Sequence, residues 1–464
     1  MIVPRTRLLF WVAVVVLPFA FLGAANPAAG GISVLCIAIF FLLTGIDALG
    51  AQAALSGFSV ELPEVVRLAK DRDGKIECRI RNSRQKAAQI RIAPMLPRQV
   101  PSPRAELEVA LAAGAEWSRV AWDCRPVKRG SFPLRAVYLE GASPLGFWSA
   151  RRAVPTESEI RVYPNLLAER KGLAALFLHR GAFGLHAQRQ VGKGREFEKL
   201  REYVPGDSFD EIHWKATARR GRPITKVFQI ERTQEVYVVI DASRLSARPA
   251  LRSPVRKSAV STRDRSAPDL PDAGQETSTL ERFITAALVL GLAAEQQGDL
   301  FGVLTFTNQV GAFVRAKNGR SHYNACRDAL YALEPQVVTP DYDEVCSFIR
   351  LRLRRRALLF FLTALDDALL AESFVRNMDL IRRQHLVVVN MLQPPGVAPA
   401  FSNPDVNTVD DLYRHLGGHM LWHQLRELER VLRRRAVRFS LLQDERLSAQ
   451  LVSQYLDVKR RQLL

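Results

Sequence analysis

The chain has 464 residues, enough for two to four domains at roughly 100–200 residues each. Hydrophobic residues make up 48% and charged residues 24%, which excludes a disordered or collagen-like chain. The formal net charge of +19 asks for an anionic partner, whether nucleic acid, a membrane surface or an acidic protein. The five cysteines (Cys36, Cys78, Cys124, Cys326, Cys346) form no C-x-x-C pair, which argues against a disulfide scaffold and a zinc ribbon.

From Leu8 to Ile46 no Asp, Glu, Lys, Arg or His occurs. LLFWVAVVVLPFAFLGAA is long enough to span a bilayer, NPAAGG supplies turn residues, and ISVLCIAIFFLLTGI is a second apolar run ending near Asp47. Backbone groups in hydrocarbon must bond internally, so residues 1–55 read as two transmembrane helices joined by a tight turn. A cleaved signal peptide is the alternative, since Arg5 and Arg7 precede the apolar run and LGAA resembles a cleavage site. The length of the run and the second segment directly behind it favour the hairpin. Arg5 and Arg7 on one flank, with Arg67 and Lys70 on the other, predict that both termini and the soluble domains are cytoplasmic, at an inner membrane.

Residues 56–165 alternate apolar and polar side chains in KIECRIRN, QIRIAP and ELEVAL, the pattern of a small antiparallel β-sandwich. Trp117, Trp122, Phe132 and Tyr138 read as its core aromatics. Residues 166–234 form a connecting segment. From 235 the rhythm changes: EVYVVI is a buried-type strand, Ser278 and Glu281 form a capping box for a helix to about Gln297, and LFGVLTFT follows. Helical stretches at 322–333 and 342–355, then ALLFFLT, LVVVNML and VRFSLL with helices between and after them, predict a doubly wound α/β domain over 235–464. Its ligands belong beyond the carboxyl ends of the strands.

There the first strand ends in Asp241-Ala242-Ser243 and a later one in Thr363-Ala364-Leu365-Asp366-Asp367. Two carboxylate loops and a hydroxyl suit a Mg²⁺; alternatively, Asp241 and Asp367 cap the turns and helices that follow. Spacing alone leaves both open. Gly192-Lys193-Gly194 is not a P-loop, the histidines form no HExxH, and Ser243 has no evident His partner, so nothing argues for an enzyme. Residues 244–276 hold many Lys, Arg, Asp and Pro with few large apolar side chains, which predicts a disordered insertion serving as spacer, lid or partner arm.

Residues 192–207, GKGREFEKLREYVPGD, and the following EIHWKATARR resemble the bacterial "domain of unknown function 58" family, whose hallmark is G-x-E-F-x-x-L-R-x-Y-x-P-G-D and then I-x-W-K-x-x-A-R. The match takes in Gly194, Glu196, Phe197, Arg201, Tyr203, Pro205, Gly206, Asp207, Ile212, Trp214, Lys215, Ala218 and Arg219. PVKRGSF (126–132), SPLGFW (143–148) and LVSQYLDVKRR (451–461) resemble further family segments. The resemblance implies a von Willebrand factor type A-like α/β domain. Such domains often carry a metal-ion-dependent adhesion site, D-x-S-x-S after the first strand, with a Thr and an Asp from later loops.

On that pattern Asp241 and Ser243 are metal residues, Leu245 stands where the second Ser belongs with Ser246 one place late, Thr339 is the nearest threonine, and Asp366 substitutes for the later Asp. Two departures in five positions weigh against Mg²⁺, and no other cofactor is implied. In the hallmark, the mixed charges and the aromatics Phe197, Tyr203 and Trp214 fit either a structural clasp or a partner-binding surface, with Arg201, Tyr203, Asp207, Trp214, Lys215 and Arg219 as its residues; stability alone accounts for a clasp. The resemblance further implies a membrane-anchored scaffold or adaptor that works with a MoxR-type AAA+ ATPase and other membrane-complex proteins, in protein maturation or envelope function, with the contact expected at the strand edge of Asp241, Ser243, Thr339 and Asp366. A basic protein that binds nucleic acid or anionic lipid is the alternative. Runs such as 350–356 and 433–435 prompt it, though arginines there also fit solvated helix faces.

Overall fold

The structure is a computed structural model describing residues 1–26, 29–167, 169, 172, 191–204, 209–229, 234–250, 277–399 and 408–461. Contacts divide it into two units, Met1–Asn165 and Leu166–Leu464.

In the first unit, the uncharged stretch forms helices α1 (Thr6–Ala25) and α2 (Gly30–Ala54), each long and apolar enough to cross a membrane. Val12–Val16 widen into a π-turn just ahead of Pro18, whose missing N–H and bulky ring disturb the preceding turn. Their apolar side chains stand bare, with Phe21 77% and Val34 68% exposed, so the surface these helices present suits lipid rather than water. Strand β1 (Ile2–Pro4), ahead of α1, pairs antiparallel with β9 (Trp148–Tyr163), which comes after α2. The two ends of the helical hairpin therefore lie on one side.

The sandwich follows. One sheet orders β1, β9, β8 (Gly130–Ala142), β5 (Ala88–Pro94) and β6 (Leu107–Leu111), with β3 (Val65–Ala69) on β9. The other orders β2 (Phe58–Glu61), β4 (Gly74–Asn82) and β7 (Trp117–Cys124). The alternation expected of KIECRIRN is realised in β4, which turns Ile76, Cys78 and Ile80 inward. Trp122 is core, but Trp117 and Tyr138, expected there too, point outward. Trp117 sits instead under the Arg81 guanidinium, 5.6 Å from the ring centre.

The last turns of α2 are held to this sandwich by SPLGFW. Asp47, buried, accepts hydrogen bonds from Ser143 Oγ (2.5 Å), the Leu145 amide (2.9 Å) and the Phe147 amide (3.1 Å). Trp148 Nε1 donates to the Thr44 carbonyl at 2.9 Å. Gly146 takes the left-handed backbone (φ +76°) that closes this loop around the carboxylate.

The second unit opens with a hairpin of β10 (Val191–Glu202) and β11 (Ile224–Gln229), with helix α3 (Trp214–Arg220) between them. The main sheet orders β16 (Val310–Lys317), β15 (Leu300–Phe306), β12 (Glu235–Asp241), β17 (Ala357–Leu362), β18 (Leu386–Leu392) and β19 (Arg438–Leu442). All are parallel except the edge strand β16. One face packs α4 (Thr279–Gln296), α5 (Arg320–Leu330) and α9 (Leu447–Arg460); the other packs α6 (Tyr342–Arg352), α7 (Ala368–Ile381) and α8 (Val409–Arg434). This is the expected doubly wound domain. β16 lacks the continuous apolar run of its neighbours, because an edge strand buries only part of its side chains.

Of the disordered insertion expected over 244–276, the first residues are ordered. Arg244–Ala247 form a 3₁₀ turn with Leu245 and Ser246 buried, and Pro249–Ala250 (β13) pair with Thr277–Ser278 (β14). Residues 251–276 lie outside the described residues.

Candidate functional site

β12 carries Asp241 to the carboxyl edge of the sheet, and the parallel partner β17 brings Thr363 beside it. Asp241 and Thr363 are fully buried. Asp241 Oδ1 accepts the Ser243 amide (2.9 Å), and Oδ2 accepts the Thr363 hydroxyl (2.6 Å). Thr363 Oγ1 lies 3.0 Å from the hydroxyl of Tyr342, itself buried on α6. Burial pushes the Asp241 carboxyl above its ordinary range, while hydrogen bonds from Ser243 and Thr363 pull it back. Burial, reinforced by Asp241, likewise pushes the Tyr342 phenol up, so Tyr342 remains a neutral hydrogen-bonding group.

The threonine bonded to Asp241 is Thr363, and Thr339 stands near the same edge without a hydrogen bond to Asp241 among the described residues. Thr339 is exposed on the loop before α6, next to Val338, whose carbonyl accepts the Arg244 amide at 3.1 Å. The signal for Thr363 was its place at the end of a buried strand adjacent to β12, which strand order reveals and linear spacing does not. Ser243, buried, accepts the Leu245 amide at 3.4 Å, and the Ser246 hydroxyl donates to the Ser243 carbonyl at 2.8 Å. Both serines thus hold the turn. Asp366 pairs with Arg248, and Asp367 caps α7 by accepting the Leu369 and Leu370 amides at 2.9 and 3.2 Å.

Oxygens that would hold a divalent cation must be free to face it. Here each Asp241 oxygen already accepts a protein donor, Leu245 is 3% exposed where a hydroxyl is required, and the Arg248 guanidinium holds Oδ2 of Asp366, leaving only its Oδ1, buried without a hydrogen-bond partner among the described residues. The donor set does not fit a Mg²⁺. Among the described residues no group of three His, Cys, Asp or Glu side chains is placed to hold a metal.

The hallmark segment is the reverse case. Arg201 pairs across the β10–β11 hairpin opposite Thr225, Tyr203 stacks on Phe209 with ring centres 5.9 Å apart, and Arg222 bridges to Glu202 at 2.8 Å. His213 Nδ1 caps α3 by accepting the Ala216 amide at 3.0 Å, and Gly221 ends it in the left-handed conformation. A clasp would bury the aromatics and pair the charges. Tyr203 is half-buried, whereas Trp214 and the neighbouring Phe209 are 69% and 74% exposed, and Lys215 and Arg219 are exposed with no ion pair among the described residues. Asp207 lies outside the described residues.

Residues 199–398 match the model of the family described as "Protein of unknown function DUF58". No curated protein matches the chain. Similar solved structures include the VWA domain of SpRpn10, 7% identical over 48% of this chain and 95% of that one, with a TM-score of 0.28. They also include BatB from Bacteroides thetaiotaomicron (12% identical, 49% and 99% covered, TM-score 0.27). An aerotolerance-related membrane protein from Bacteroides fragilis is 10% identical, with 49% and 100% covered and a TM-score of 0.26.

Proposed function

We propose that this chain is a membrane-anchored scaffold whose α/β unit binds a protein partner, a MoxR-type AAA+ ATPase, on the cytoplasmic face of an inner membrane. Its client complexes are other membrane proteins under maturation or serving the envelope. The observation that carries the reading is the surface of the hallmark segment, within or beside the matched family segment: Trp214, Phe209, Lys215 and Arg219 stand exposed on and beside a capped helix. Aromatic and basic side chains left bare on an ordered scaffold are the groups that bury most productively in a protein interface. The strand edge supports the same division of labour, because its polar groups are consumed in holding loops. The contact therefore belongs on the hallmark surface and not at Asp241.

Affinity purification of the full chain from native membranes tests this. Native protein and Asp241→Asn, where folded, are expected to recover an AAA+ ATPase, and a Trp214→Ala/Lys215→Glu variant is expected to lose it. Equal recovery by the surface variant, or no ATPase in any sample, contradicts the proposal.

A further inference from the structure

The strand edge already contains a cation. Arg248 follows the 3₁₀ turn, and its Nη1 meets Oδ2 of Asp366, the carboxylate that the adhesion-site pattern assigns to a metal. We infer that this site works without a metal and that the Arg248 guanidinium takes the place of the divalent cation.

Three independent features lead there. Each Asp241 oxygen already accepts a hydrogen bond, of 2.9 or 2.6 Å, in a fully buried network, so a cation there competes with those donors. Leu245, 3% exposed, packs an apolar side chain where the pattern puts a coordinating hydroxyl. The charge of Arg248 pairs with Asp366 and repels a second cation brought to the same carboxylate. The short β13–β14 ladder, with Pro249 paired to Ser278 and the Thr279 amide bonded to the Arg248 carbonyl at 2.8 Å, fixes the backbone from which Arg248 reaches over. The cavity beside it, about 350 Å³, is lined by Arg248 together with Thr279, Gln393, Gln443 and Asp444, and the Asp444 carboxylate is itself paired with Arg282 at 2.9 Å.

The experiment is a titration of the full chain in detergent with Mn²⁺, followed by the loss of the free-ion electron paramagnetic resonance signal. Melting temperatures are taken with and without Mg²⁺ and Mn²⁺. The native chain is expected to show no saturable uptake and no shift. Arg248→Gln, a half-exposed position where folding is readily checked by melting, uncovers Asp366, and combining it with Leu245→Ser restores the missing hydroxyl; saturable Mn²⁺ uptake is expected to appear. Arg248→Lys keeps the charge and is expected to stay metal-free. Uptake of Mn²⁺ by the native chain that Asp241→Asn or Asp366→Asn abolishes overturns the inference. So does a folded Arg248→Gln variant that takes up no Mn²⁺ either alone or with Leu245→Ser.

Discussion

Asp299 shows how much one buried carboxylate can organise. It is 1% exposed at the start of β15, accepts the Gln234 amide at 3.0 Å, and receives the Tyr455 hydroxyl and Lys459 Nζ (2.7 Å) from α9. The LVSQYLDVKRR segment thus fastens the last helix to the entry of two neighbouring strands. Lys459→Met leaves this buried charge without its cation and is expected to lower unfolding stability by about 3–5 kcal/mol, read from denaturant midpoints. His385 gives the pH counterpart. It is 3% exposed in the turn between α7 and β18, and burial lowers its pKa from 6.5 to about 4. The folded chain therefore refuses a proton that the unfolded chain accepts. This contribution to stability is intact above pH 6.5 and is lost as pH falls towards 4, by about 2 kcal/mol at pH 5. Replacing His385 with Leu is expected to flatten that part of the stability–pH curve; an unchanged slope would count against it. Neither role was legible in the sequence. The YLDVKRR run was visible as a family segment, but its partner lies 156 residues away along the chain.

At the scale of elements, the sequence was most readable where periodicity and burial coincide. β18 was expected over LVVVNML and lies at Leu386–Leu392, and α4 starts at the capping residue Ser278, which accepts the Glu281 amide. Edge strand β16, half-buried, shows neither an unbroken apolar run nor a clean alternation and escaped, as did the hairpin around α3. The candidate site was half legible for the same reason. Asp241 and Ser243 were found because they end a buried strand, whereas Thr363 became their neighbour only through the β12–β17 pairing. SPLGFW was recognised as a motif without a role, and Asp47 supplies one. Asp47→Ala would strand the Ser143 hydroxyl and the Leu145 and Phe147 amides. A cost of about 1–3 kcal/mol is expected, with protease cleavage appearing first at the 143–148 loop; protection equal to the native chain would show that Asp47 does not hold the helix to the sandwich.

For the whole molecule, the charge of +19 was the least informative number, because it names no partner and locates no patch, and many individual arginines are engaged locally. Arg91 pairs with Glu108, Arg151 with Glu140, Arg433 with Glu429 and Arg435 with Asp379, all at or near the surface, where such pairs contribute little energy but occupy the charge. The proposed partner contact rests on the division between a strand edge where Asp241, Ser243 and Thr363 are buried and a hallmark surface where Trp214, Lys215 and Arg219 are exposed. The most direct measurement of that division is site-specific photo-crosslinking in intact membranes, with a photoreactive side chain placed at position 214 in one sample and at exposed position 339 near the strand edge in another. A crosslinked AAA+ ATPase from position 214 and none from 339 is the predicted result. Crosslinking from 339 alone, or from neither position, would contradict the account.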